Sequence, residues 1–126
     1  YDGSYETRYM AALFAGNGYA VIAADYFGMG EGAAEPESYF VKASTQQASY
    51  DLHLDARAFL ESKGIGLSHL FVGGWSQGGL NATGLLERLE GENIAVTAAF
   101  TASSPGDPFV ALNGLMYHPR PGLDAA

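Results

Sequence analysis

The residues best suited to chemistry lie in one short run, Leu70-Phe71-Val72-Gly73-Gly74-Trp75-Ser76-Gln77-Gly78-Gly79. An apolar segment leads directly into G-x-S-x-G (Gly74, Ser76, Gly78), and a helical pattern follows. A serine on a sharp strand-to-helix turn holds its hydroxyl clear of the backbone, where it can act as a nucleophile. Glycine at Gly74 and Gly78 is expected to remove side chains that would collide with the strand or the helix. The backbone N–H of Gln77 opens the helix and points to where an oxyanion would form. Ser76 is therefore the expected nucleophile of an acyl transfer, with Gln77 as its main-chain oxyanion donor.

The other candidates have more than one reading. Asp107 precedes Pro108, so it fits a helix N-cap ahead of an N1 proline; a catalytic acid is the alternative. Asp25 reads as a structural carboxylate that accepts loop N–H groups around Gly28 and Gly30. Tyr26, beside it, is a candidate to line the site. Trp75 fits either the core or the wall of a binding pocket. His53 falls mid-helix on an expected exposed face. His69 stands at the start of the apolar run, the far end from Ser76. His118 lies in the Pro-rich stretch His118-Pro119-Arg120-Pro121-Gly122. No pair of these histidines has metal-ligand spacing with a carboxylate, so neither a metal nor another cofactor is implied.

These residues need elements to position them. Ser4 is a candidate cap for a helix running to about Gly16, with Met10, Leu13, Phe14 and Asn17 on one face and an Asn17-Gly18 stop. Tyr19 to Asp25 is a continuous apolar run that reads as a strand buried on both faces. Tyr26 to Pro36 is a glycine-bearing loop. Ser44 or Thr45 is expected to cap a second helix ending near Lys63-Gly64, its buried stripe Ala48, Leu52, Ala56, Phe59 and Leu60. His69 to Trp75 is the strand before Ser76. The helix after it runs to about Gly91, with Ala82, Leu85, Leu86 and Leu89 inward. Ile94 to Thr101 is a third strand, and Asp107 to Met116 holds a short helix. Helix and strand alternate, which gives an α/β fold with parallel strands and crossover helices. Three strands make a thin sheet whose faces and edges need cover.

Composition narrows the classes. Hydrophobic residues make up 48% and charged residues 16%, a globular balance. The net charge of −8 excludes nucleic acid and an anionic membrane surface as partners, since both require a basic face. There is no cysteine, so disulfides and thiolate metal sites are excluded. No apolar run spans a bilayer, and no segment has the pattern of a secretory leader.

Three stretches carry a resemblance. Gly18 to Gly30 reads G-Y-x-V-x-x-x-D-Y-x-G-x-G, the turn at Ser76 reads G-W-S-Q-G-G, and the segment Ala98 to Asp107 contains A-x-x-x-S-x-P-x-D. Together they resemble the central part of serine α/β-hydrolases, in particular secreted bacterial and fungal lipases and esterases. The resemblance implies a partial α/β-hydrolase domain over residues 1–126, a nucleophile elbow at Ser76, and a secreted or periplasmic setting. It implies a carboxylic-ester hydrolase that works through a serine acyl-enzyme on a small-molecule or lipid ester. In that family the acid and then the histidine follow on later strands. The base and acid are therefore expected from the remaining part of the same hydrolase domain. A prolyl-oligopeptidase-type serine peptidase shares a similar turn, but such enzymes carry Tyr where Gln77 stands and an Arg-Gly pair where the chain has Tyr26-Phe27-Gly28. An acyltransferase on the same fold and a non-catalytic hydrolase-like fragment are the further alternatives.

Overall fold

The computed structural model describes residues 5–117. The described residues form four α-helices and a two-stranded parallel sheet: α1 (Tyr5–Ala15), α2 (Lys42–Ser62), β1 (Phe71–Trp75), α3 (Gln77–Gly91), β2 (Ala98–Ala102) and α4 (Pro108–Tyr117). The architecture is mixed α/β. Strands β1 and β2 pair from Phe71↔Ala98 to Trp75↔Ala102, joined by α3 as a β-α-β unit.

Alternation along the strands assigns each sheet face. Val72 points toward α3 and forms the buried centre with Ala82 and Leu89, Leu89 being wholly inaccessible. Tyr50, Leu70, Leu85, Ile94 and Val96 pack around it. The opposite face carries Phe71 and Phe100, and Phe100 covers the bare Cα of Gly73. Phe14 of α1 meets Phe100 there at 6.0 Å between ring centroids, and Tyr19 meets Phe71 at 5.7 Å. The layers are thus α1, sheet, α3 and α2.

Three helices stop in the same way. After α1, Tyr19 N–H bonds Phe14 C=O and Gly18 N–H bonds Ala15 C=O; Gly64-Ile65 and Asn93-Ile94 repeat the pattern after α2 and α3. Each turn needs a left-handed residue, supplied by Gly18, Gly64 and Asn93. The expected Asn17-Gly18 stop is present, and Asn17 Nδ2 adds a bond to Leu13 C=O at 2.7 Å. The proposed cap at Ser4 lies outside the described residues.

Four expectations about the elements need correction. Tyr19 to Asp25 joins no ladder, and Val21 and Ile22 are 40% and 47% exposed. An apolar run becomes a buried strand only where neighbouring backbone pairs with it, and no described segment does. The third strand starts at Ala98 rather than Ile94, because Asn93-Ile94 is used to end α3. Helix α2 begins at Lys42 with no side-chain cap, and Thr45 Oγ1 bonds back to Val41 and Lys42 C=O instead. Its packed face differs in part: Ala48, Leu52, Ala56 and Leu60 are half-buried, but Thr45 and His53 are the buried positions and Phe59 is 60% exposed. Contacts with α3 fix this face. Gln46 Nε2 bonds Gly84 C=O at 2.7 Å, Tyr50 lies under the Arg88 guanidinium, and Lys42 pairs with Glu87.

Candidate active site

Ser76 stands between the end of β1 and the start of α3 with φ 52° and ψ −120°. A non-glycine residue in this region is strained by about 1–3 kcal/mol and persists only where its surroundings hold it. Those surroundings are visible. Ser76 N–H bonds Ala102 C=O at 2.8 Å, extending the β1–β2 ladder by one residue. Ser76 C=O accepts Gly79 N–H at 2.9 Å, closing the first turn of α3.

Two glycines permit the sharp reversal. A Cβ on Gly74 would fall on the carbonyl group of Gly78, so strand and helix approach to backbone contact at that point. A Cβ on Gly79 would stand 2.8 Å from Cβ of Ser104. The expectation for Gly78 is corrected: a Cβ there meets nothing within 4 Å. The crowded atoms are Gly78's own C=O, and the side chain they exclude belongs to position 74.

At the C-terminal ends of both strands a cleft of about 450 Å³ opens, a typical volume for a small-molecule site. Ser76, Ser103 and Tyr39 are its hydroxyl-bearing lining. Phe40, Pro105, Ala111, Leu112 and Leu115 make the rest, so its wall is mostly apolar. Among the described residues, four non-glycine residues have positive φ: Phe40 (57°), Ser76 (52°), Asn93 (58°) and Ser103 (50°). Asn93 ends a helix, and the other three all line this cleft. Backbone strain concentrated on one concavity is a mark of a functional site.

The walls come from two segments whose side chains carried no signal of this role in the sequence. The loop after Asp25 folds on itself, with Met29 N–H on Tyr26 C=O and Ser38 N–H on Phe27 C=O, and delivers Tyr39 and Phe40. Opposite them, α4 presents Ala111, Leu112 and Leu115 while packing on no other described helix or strand. Among the sequence candidates, Ser76 alone is in the cleft lining. Trp75 is 61% exposed and belongs neither to the core nor to the cleft. Tyr26 is half-buried in its loop turn, away from the lining. Asp25 sets its carboxyl group against the Cα of Gly30, but no described loop N–H donates to it, so the expected bonds around Gly28 and Gly30 are not formed. Asp107 Oδ1 accepts Phe109 N–H at 2.9 Å and Val110 N–H at 3.1 Å, so it caps α4. Ser103 went unrecognised as a site residue, although it is the serine of the A-x-x-x-S-x-P-x-D stretch.

The electrostatics of the turn favour a negative charge. Gln77 N–H opens α3 without a described acceptor, and the helix dipole adds positive potential there. No described group hydrogen-bonds the Ser76 hydroxyl. His69 sits at the other end of β1, its Nδ1 3.5 Å from Thr97 Oγ1. His53 is buried in α2, 7% exposed, where exposure was expected. Its Nε2 has no partner, and its pKa is lowered from 6.5, first by burial and then by the charge of Arg57. His118 lies outside the described residues. No described helix is long and apolar enough to cross a membrane.

Comparison with known proteins finds no matching family model, no matching curated protein and no matching solved structure.

Proposed function

We propose that the protein is a carboxylic-ester hydrolase of the serine α/β-hydrolase type. The observation that carries this reading is the strained Ser76, held at φ 52° between a parallel strand and a helix and opening into an apolar cleft. In the proposed reaction Ser76 Oγ attacks the ester carbonyl. Its proton passes to a histidine base, and the developing oxyanion is held by Gln77 N–H. Collapse of the tetrahedral intermediate breaks the bond to the alcohol oxygen, which takes the proton and leaves. Water then attacks the acyl-enzyme with the same base and releases the acid and free Ser76. His53 and His69 do not supply the base, since one is buried in α2 and the other lies across the length of β1. Asp107 is occupied as a cap, so the acid is assigned elsewhere in the hydrolase domain.

One observation favours a second reading. The Ser76 hydroxyl has no base beside it among the described residues, as in a hydrolase-like module that binds without turnover. A fluorophosphonate separates the two. The ester-hydrolase reading expects covalent labelling at Ser76, located by peptide mass mapping and lost in Ser76→Ala. An ester-hydrolysing preparation labelled at another serine, or one whose turnover survives Ser76→Ala, would exclude Ser76 as nucleophile. Binding of ester analogues with neither label nor turnover would establish the second reading.

A further inference from the structure

Ser103 is the mirror of Ser76 in the adjacent strand. The register Trp75↔Ala102 makes the two serines the next pair beyond the ladder, about 5 Å apart at the main chain. Both have a left-handed φ, 52° and 50°, both line the cleft, and neither hydroxyl is bonded by a described group. Ser103 is also held in place. Ala102 C=O accepts Ser76 N–H, and the next residue, Ser104, packs on the bare Cα of Gly79 in the first turn of α3. The turn that carries Ser103 is thereby fixed to the turn that carries Ser76.

We propose that Ser103 is a substrate-contacting residue whose hydroxyl donates a hydrogen bond to the alcohol oxygen of the ester held at Ser76. The inference rests on the ester-hydrolase reading. Gln77 N–H takes the carbonyl oxygen, which leaves the alcohol oxygen as the ester's other acceptor. The walls made by Phe40, Leu112 and Leu115 offer it no side-chain polar partner, and of the two other cleft hydroxyls, Ser103 and Tyr39, Ser103 is the one that strand register sets beside Ser76. As the bond to that oxygen breaks, negative charge grows on it and the hydrogen bond strengthens. The substrate class follows: esters of poorly leaving alcohols, with an apolar group against the cleft wall.

The test compares an alkyl ester and a p-nitrophenyl ester of the same fatty acid with the protein, Ser103→Gly and Ser103→Asn. Glycine accepts the left-handed backbone and removes the hydroxyl; asparagine tolerates the same backbone and restores a donor. Ser103→Gly is expected to lower kcat/KM about tenfold for the alkyl ester, the loss of one neutral hydrogen bond. For the p-nitrophenyl ester, whose p-nitrophenoxide leaves unaided, the loss should stay under about twofold. Ser103→Asn should recover most of the alkyl-ester rate, and phosphonate labelling of Ser76 should be unchanged in both variants. Equal effects of Ser103→Gly on the two esters, whether nil or large, would overturn the role of Ser103 alone. A protein that hydrolyses neither ester and takes no label would overturn the ester-hydrolase reading, and this inference with it.

Discussion

At the scale of single residues, the turn at Ser76 depends on what is missing at position 74. Gly74 and Gly78 occupy equivalent places in G-x-S-x-G, yet only one of them faces a backbone carbonyl. Gly74→Ala is expected to cost about 3 kcal/mol, the upper end for overpacking, because rigid main chain rather than a movable side chain stands where the methyl group must go. Gly78→Ala lies in the first turn of α3 with open space around it, and should leave stability unchanged or raise it by up to about 1 kcal/mol. Denaturant melts of the two variants decide the matter. Equal destabilisation would show that the strand and helix do not meet as described.

Among the elements, α4 and the Tyr39-Phe40 segment convert an exposed strand end into a cleft. Their positions rest on local bonds: Asp107 caps α4, and the Ser38 and Ser44 hydroxyls bond each other at 2.5 Å beside Tyr39. The cap yields a sharp expectation. Asparagine caps a helix as well as aspartate, so Asp107→Asn should keep ester turnover within about twofold. A catalytic acid replaced by asparagine instead costs on the order of 10⁴ in rate. A loss of that size in a steady-state assay, with α4 intact by circular dichroism, would reassign Asp107 from the cap to the triad.

For the whole molecule, the buried hydrophobic centre of the described residues is Val72, Ala82 and Leu89, while Phe71, Trp75, Phe100, Phe109 and Met116 remain exposed. So much apolar surface favours association. Residues 1–126 expressed by themselves are expected to bind 8-anilinonaphthalene sulfonate and to elute above 13.3 kDa, rising with concentration, in light-scattering chromatography. A dye-silent monomer at all concentrations would contradict the exposed faces. Stability should also depend on pH through His53. Its folded-state pKa lies below the unfolded value of 6.5, so the unfolded chain binds the proton more readily. The stabilising contribution is complete above about pH 6.5 and is lost as pH falls from there through the folded-state value. Melting temperature should drop over that interval more steeply than in His53→Leu, which also removes the unpartnered Nε2. Parallel pH profiles would show that His53 is not the group responsible.

Local sequence determined the strand–serine–helix turn, the three remaining helices to within a few residues, the glycine stop after α1 and the cap at Asp107. Each depends on contacts within a few positions, so the residue types alone carry the information. Tertiary structure decided the rest. Tyr19 to Asp25 has the composition of a buried strand, but a strand also needs a backbone partner, and partners are non-local. Helix α2 packs with His53 inward and Phe59 outward, a face fixed by contacts with α3 such as Gln46 to Gly84, thirty-eight positions apart. Ser103 lies in the A-x-x-x-S-x-P-x-D stretch, but nothing in that pattern places it beside Ser76. It came to stand beside Ser76 through strand register, a pairing between segments far apart in the chain that the Ser76 N–H to Ala102 C=O bond and the Ser104–Gly79 contact hold in place.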